Sequence, residues 1–204
     1  MSPPTPRTIG PATPGLAVVG VHTIYDRVGV LVRARPAEPY PPSRLLAAPV
    51  MVARTGSEAA GWICDTVTAV RLAMMAARSL GWAPRVALRR PVPGGNWSWD
   101  ALVCGALLAS IGPAALVLVS GRQLNAAIVQ REAAADQASP PPERRDHGAY
   151  EEWWRSRAWR RGYPAELIGP REHTGTGVRL VLRAAWDVAG AAGLRLATRG
   201  GEAA

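Results

Sequence analysis

"ALVCGALLASIGPAALVLVSGR" (Ala101–Arg122) runs through twenty-one uncharged residues before reaching its arginine. As one rod it is long enough to cross a bilayer. As two elements it is a buried helix that stops at Gly112-Pro113, followed by a buried strand, "AALVLV". Arginines flank it on both sides, Arg89 and Arg90 before and Arg122 and Arg131 after, so no inside–outside bias is visible. Trp97 and Trp99 suit an interfacial belt and are the best argument for insertion. Against it, Gly112-Pro113 falls near the middle of the would-be span, where it is tolerated but unhelpful. Neighbouring stretches also have the same form with arginines inside them, and those cannot lie in lipid. The two-element reading is therefore adopted.

The form is an alanine-rich helix, a glycine, then a short β run ending near arginine. It occurs in "MMAARSLGWAPRVALRR", in the opening stretch and in "AWDVAGAAGLRLATR". Its spacing is irregular, so these are recurring αβ units rather than a solenoid repeat. "PVMVA" followed by "RTGSE" starts the series, with Ser57 as N-cap of a helix through "EAAGWICDTVTAVRLAMMAARSL". Trp62, Thr66, Ala69 or Val70, Ala73 and Ala76 or Ala77 fall on one face of that helix. Gly81 caps it and Pro84 forbids its continuation.

Upstream, Leu16–Gly20 and Val28–Arg33 read as a hairpin. "RPAEPYPP" then denies both helix and ladder bonds. Alternating strands and helices with short links predict an α/β fold with a mostly parallel sheet and helices on both faces, a three-layer, Rossmann-like arrangement. The expected organisation is a proline-rich disordered lead (1–15), an α/β domain (16–138), an exposed linker (139–148), a basic Trp/Arg helical insertion (149–174) and a last αβ unit (175–200) that completes the domain.

All 24 basic residues of the 204 are arginine, against 15 acids, and phenylalanine is absent. That usage follows GC-rich codons and points to a high-GC bacterium. The net charge of +9 still attracts polyanions whatever its origin. Cys64 and Cys104 sit in apolar surroundings without CxxC spacing, which suggests buried thiols and a cytoplasmic location. The N-terminus has no apolar signal region.

If Pro49–Ala53, Arg85–Leu88, Ala115–Val119 and Leu194–Ala197 are parallel strands, their carboxyl ends share one rim. Each is followed closely by arginine: Arg54, then Arg89 and Arg90, then Arg122, then Arg199. Ser57, Asn96 and Ser120 stand beside glycines in three of these loops. In open α/β sheets ligands bind in this crevice, where helix N-termini offer free N–H groups and arginines can clasp phosphate. With arginine so common, solvated loop arginines are the plain alternative. No loop matches GxGxxG or GxxxxGK[ST], and without lysine the phosphate-loop lysine is excluded, so no cofactor is expected.

A second surface is "EEWWRSRAWRR" (151–161). Trp153, Trp154, Arg157, Trp159, Arg160 and Arg161 interleave rings that stack on bases with guanidinium groups that hold phosphate. A protein partner, or less readily a membrane surface, suits the same segment. A helix packing its tryptophans on the sheet is the plain alternative. His22, His147 and His173 lack metal-ligand spacing, and Ser120 lacks the GxSxG elbow. Asp100 reads as a first-turn acid favouring its helix dipole. The leading expectation is a non-catalytic anion-binding protein that engages nucleic acid or another polyanion. A small enzyme acting on a nucleotide or phosphorylated metabolite, and a structural or membrane-associated component of an assembly, are the alternatives.

Overall fold

The computed structural model describes residues 15–24, 27–35, 44–53, 59–92, 97–138, 140, 142–143, 145–160, 163–168 and 176–201. The opening stretch is two elements. Helix α2 (Trp97–Ile111) ends at Gly112, whose φ of 80° turns the chain through one 3₁₀ turn (Pro113–Ala115) into strand β6 (Leu116–Val119). A positive φ is natural for glycine, and the following proline has no N–H to continue the helix. No described helix is long and apolar enough to cross a membrane.

Strands β1 (Leu16–Ile24) and β2 (Arg27–Arg35) form the expected hairpin, with Leu16 opposite Arg35 and Ile24 opposite Arg27. The short strands β3 (Arg44–Leu45) and β4 (Val50–Ala53) both pair with β2. Helix α1 (Ala59–Ser79) leads to β5 (Ala83–Arg89). Its end is a glycine cap: Gly81 (φ 78°) donates to Arg78 O at 2.9 Å and Trp82 to Ala77 O at 3.0 Å. After β6 come α3 (Gly121–Ala138), α4 (His147–Arg160), α5 (Ala165–Ile168) and α6 (Thr176–Gly201).

The fold is α/β, but the sheet is mixed rather than mostly parallel. Its order is β3-β2-β1-β5-β6, with β4 also on β2. β1, β5 and β6 are parallel, and β2 is antiparallel to β1, β3 and β4. The hairpin strand β2 is inserted between β4 and β1, and local sequence patterns carry no record of such a pairing. The crossovers β4-α1-β5 and β5-α2-β6 step across the sheet in one sense. Crossover handedness then places both helices on one face, and α1 and α2 do share one core with Val19, Val21, Val30, Val86 and Leu88. The other face holds Val18, Leu31, Ala87 and Val119 under Ala127 of α3, Leu167 of α5 and the Val181–Ala192 part of α6.

Leu194–Ala197, expected as a strand, forms late turns of α6. Gly193 reads as the helix stop, yet α6 runs on through it; upstream, Gly190 serves close packing, because a Cβ there would strike the Arg33 guanidinium. The alanine-rich flanks then carry the helix through, as their propensity allows.

Candidate functional site

Strand directions decide which loops meet. β4 is antiparallel to β2, which is antiparallel to β1, so β4 runs with β1, β5 and β6. Their carboxyl ends open on one edge. Ala53 lies opposite Arg27, Ile24 opposite Arg27, Val21 beside Leu88 and Arg89 beside Val119. With strands about 4.8 Å apart, this rim from β4 to β6 is roughly 19 Å wide. It carries Arg27, Arg89, Arg90, Ser120 and Arg122. Sequence reading overlooked Arg27, because that reading began β2 one residue later.

The rim is most promising between β5 and β6. The helix after β5, α2, covers one face, while the helix after β6, α3, covers the other. Chain segments that part to opposite faces leave a crevice at the strand ends. The N-termini of α2 and α3 flank it, and Arg90 N–H donates to Val119 O at 2.8 Å, tying the two strand ends together. Arg89 is partly buried and Arg90 and Arg122 are exposed. Arg122 sits in the first turn of α3, which holds no acid. A cation there opposes the helix dipole, so helix stability does not account for it.

Ser120 has a structural task. Its N–H donates to Gln123 Oε1 at 2.9 Å and the Gln123 N–H returns to Ser120 Oγ at 3.3 Å. This is a capping box. Ser120→Ala is expected to lower stability by about 1 kcal/mol in chemical denaturation.

The electrostatics centre on Arg89. By strand alternation it follows Ala87 onto the α6 side, next to His22. Burial, then the Arg89 charge, holds His22 down at about 4 and therefore neutral. Burial pushes Asp100, in the first turn of α2, up to about 6, while Arg89 pulls it back. Burial and then the Asp100 charge also raise the Cys104 thiol, which makes it a poor nucleophile. Cys104 is buried as expected, but Cys64 is exposed.

The two shifts act in opposite senses on stability. A raised Asp100 contributes stability that is complete below its unfolded value of 3.8 and is lost as pH rises through about 6. A lowered His22 contributes stability present above 6.5 and lost as pH falls through about 4. Asp100→Asn removes the first term. The variant should melt above the parent near neutral pH and at the parent's temperature near pH 4, as thermal melts will show.

The remaining expected site residues divide as follows. Arg54, Ser57, Asn96 and Arg161 lie outside the described residues. Arg199 belongs to α6 and follows no strand; its side chain also lies outside them, as do those of Trp154, Arg157, Trp159 and Arg160 on α4. Trp153 is partly buried, 5.8 Å from Tyr150 between ring centroids. Among the described residues no group of three His, Cys, Asp or Glu is placed to hold a metal.

Sequence reading also missed a buried polar cluster. Arg131 Nε donates to Asp187 Oδ1 at 2.8 Å, Tyr163 O–H donates to Asp187 Oδ2 at 2.8 Å, and the Arg131 guanidinium lies 4.0 Å from the Tyr163 ring centre. The one local signal is Asp187 itself, a lone acid on the apolar run "RAAWDVAG". The cluster joins α3, α6 and the segment before α5, away from the rim. A separate apolar groove of about 380 Å³ runs between α1 and the β2–β4 edge, with Asp65 and Thr68 as its polar side chains.

Comparison of the chain with family models, with curated proteins and with solved structures finds no match.

Proposed function

We propose that the protein is a non-catalytic anion binder whose carboxyl-terminal rim holds the phosphates of nucleic acid. The observation that carries this reading is the set Arg89, Arg90 and Arg122 around the β5–β6 crevice. None of the three makes an ion pair among the described residues, and one works against its own helix dipole. Their spread suits several phosphates of a polyanion. Such contacts position the partner without reading its sequence. In this reading the β5-α2-β6-α3 unit acts in the manner of a Rossmann-like binding unit, and a reducing cytoplasm is the fitting compartment for the thiols.

A second reading, a nucleotide or phosphorylated metabolite bound in the crevice, is favoured by the partial burial of Arg89. Fluorescence anisotropy with a labelled single-stranded oligonucleotide at low ionic strength separates the two. The leading reading predicts binding that a mononucleotide displaces only at large excess. Efficient displacement, with a raised melting temperature in the mononucleotide's presence, supports the second. Absence of both effects removes the function.

A further inference from the structure

Exposed large apolar side chains are distributed very unevenly over the molecule. Val50, Leu72, Met75, Leu80, Val92, Leu102 and Leu108 belong to β4, α1, α2 or their flanking turns. Only Val129 and Leu180 among the described residues lie on the α3–α6 side. Leu72 and Met75 are 59% and 61% exposed, and Leu102 and Leu108 are 47% and 38% exposed.

Helix α2 has no polar face, since no charged residue occurs between Asp100 and Arg122. A helix apolar all round is normally buried all round. Here one side packs on the sheet through Val103, Cys104 and Leu107, while Leu102, Gly105, Leu108 and Ala109 face outward. The two helices lie side by side. Trp62 and Trp99 meet edge to face at 5.4 Å, fixing their N-terminal ends at one level. About 15 Å further along, Leu72 stands level with Leu108 and Ala109. The outward residues of both helices thus lie on one side of the molecule, with Leu72 at its margin, where it also lines the groove against the β2–β4 edge.

The charges on that surface select its partner. Arg71 and Arg78 are exposed on α1. Asp65 is the exposed acid among the described residues of α1 and α2. A second copy would set these arginines against their own kind. A partner helix lying in the groove between α1 and the β2–β4 edge would cover Val50 and Leu72 but leave Met75, Leu102 and Leu108 in water.

We propose that the α1–α2 face docks on an anionic lipid surface, with Leu72, Met75, Leu102 and Leu108 entering the interface and Arg71 and Arg78 meeting lipid phosphates. Apolar insertion combined with basic residues is the recognised basis of interfacial binding. The surface is distinct from the rim, so this proposal and the nucleic-acid reading fail separately.

The test is co-sedimentation of the full chain with phosphatidylcholine vesicles, with and without phosphatidylglycerol. Binding is expected only when phosphatidylglycerol is present. Leu102→Gln with Leu108→Gln, and separately Arg71→Gln with Arg78→Gln, should each weaken it about tenfold. These positions are exposed, so melting followed by circular dichroism should match the parent. If one pair fails to fold, the other decides. A chain with Arg89, Arg90 and Arg122 all changed to Gln should sediment like the parent. No binding to anionic vesicles, or binding indifferent to both pairs, overturns the proposal. So does a dimer in sedimentation equilibrium that Leu72→Gln with Met75→Gln dissociates, because a second copy would then cover the face.

Discussion

Gly20→Val should leave no cooperatively folding protein, and Gly20→Ala should lose about 3 kcal/mol or more in urea denaturation. Gly20 lies mid-strand in β1, between Leu31 of β2 and Ala87 of β5. On the face it presents, α6 crosses in backbone contact. A Cβ at position 20 would stand far inside van der Waals contact distance of the Ala185 carbonyl oxygen. It would also lie 3.0 Å from the Ala185 carbonyl carbon and 3.0 Å from the Ala189 Cβ. No flexible side chain can yield there, so the helix itself must lift. Lifting it opens the core formed by Val18, Leu31, Val181, Ala185, Trp186 and Val188. A domain is stable by roughly 5–15 kcal/mol in total, so displacing one whole layer is not survivable. Gly29, where a Cβ would stand 2.9 Å from the Val181 carbonyl oxygen, should tolerate alanine better. An unchanged urea midpoint for Gly20→Ala would mean that α6 does not cross β1 at this point.

Asp187→Ala should cost about 3–5 kcal/mol, the range for removing one partner of a buried ion pair. The Arg131 and Asp187 side chains are each 8% exposed. Without the carboxylate, Arg131 is left with its charge in the interior, and the Tyr163 hydroxyl loses its acceptor. Burial and then the Asp187 charge already push the Tyr163 phenol well above its ordinary range, so ionisation of the phenol offers no relief. Removing both charges together should cost much less than Asp187→Ala alone. Arg131→Met with Asp187→Leu, compared with the single changes in a double-mutant cycle, measures that coupling. Costs that simply add would show that the pair contributes nothing as a pair.

The parts of the fold legible in the sequence are those with local causes. Gly81 and Gly112 end α1 and α2 because each adopts positive φ, and a proline follows within three residues. The carboxyl ends of β5, α2 and β6 lie within one residue of the limits that the sequence suggests, whereas α2 starts a turn earlier, at Trp97, than the apolar run from Ala101 indicates. The hairpin was read for the same reason. What escaped depends on contacts distant in sequence. The insertion of β2 beside β4 is a pairing choice made across the whole sheet. Gly193 looks like a stop until α6 is seen running on through it across the sheet. The Asp187 partner is 56 positions away. The candidate site divides in the same way: Arg89, Arg90 and Arg122 share a rim because strand direction places them there, whereas Arg199 was assigned to the end of a strand that is in fact helix.

The salt dependence of oligonucleotide binding tests the rim most directly. Each phosphate neutralised on a single strand contributes about −0.7 to the slope of log K against log salt. The parent chain should bind with a steep slope. Changing Arg89, Arg90 and Arg122 together to Gln should make that slope shallower by about 2 while leaving the melting temperature near the parent's. The same slope in parent and triple variant, or no binding at low ionic strength, would contradict the account.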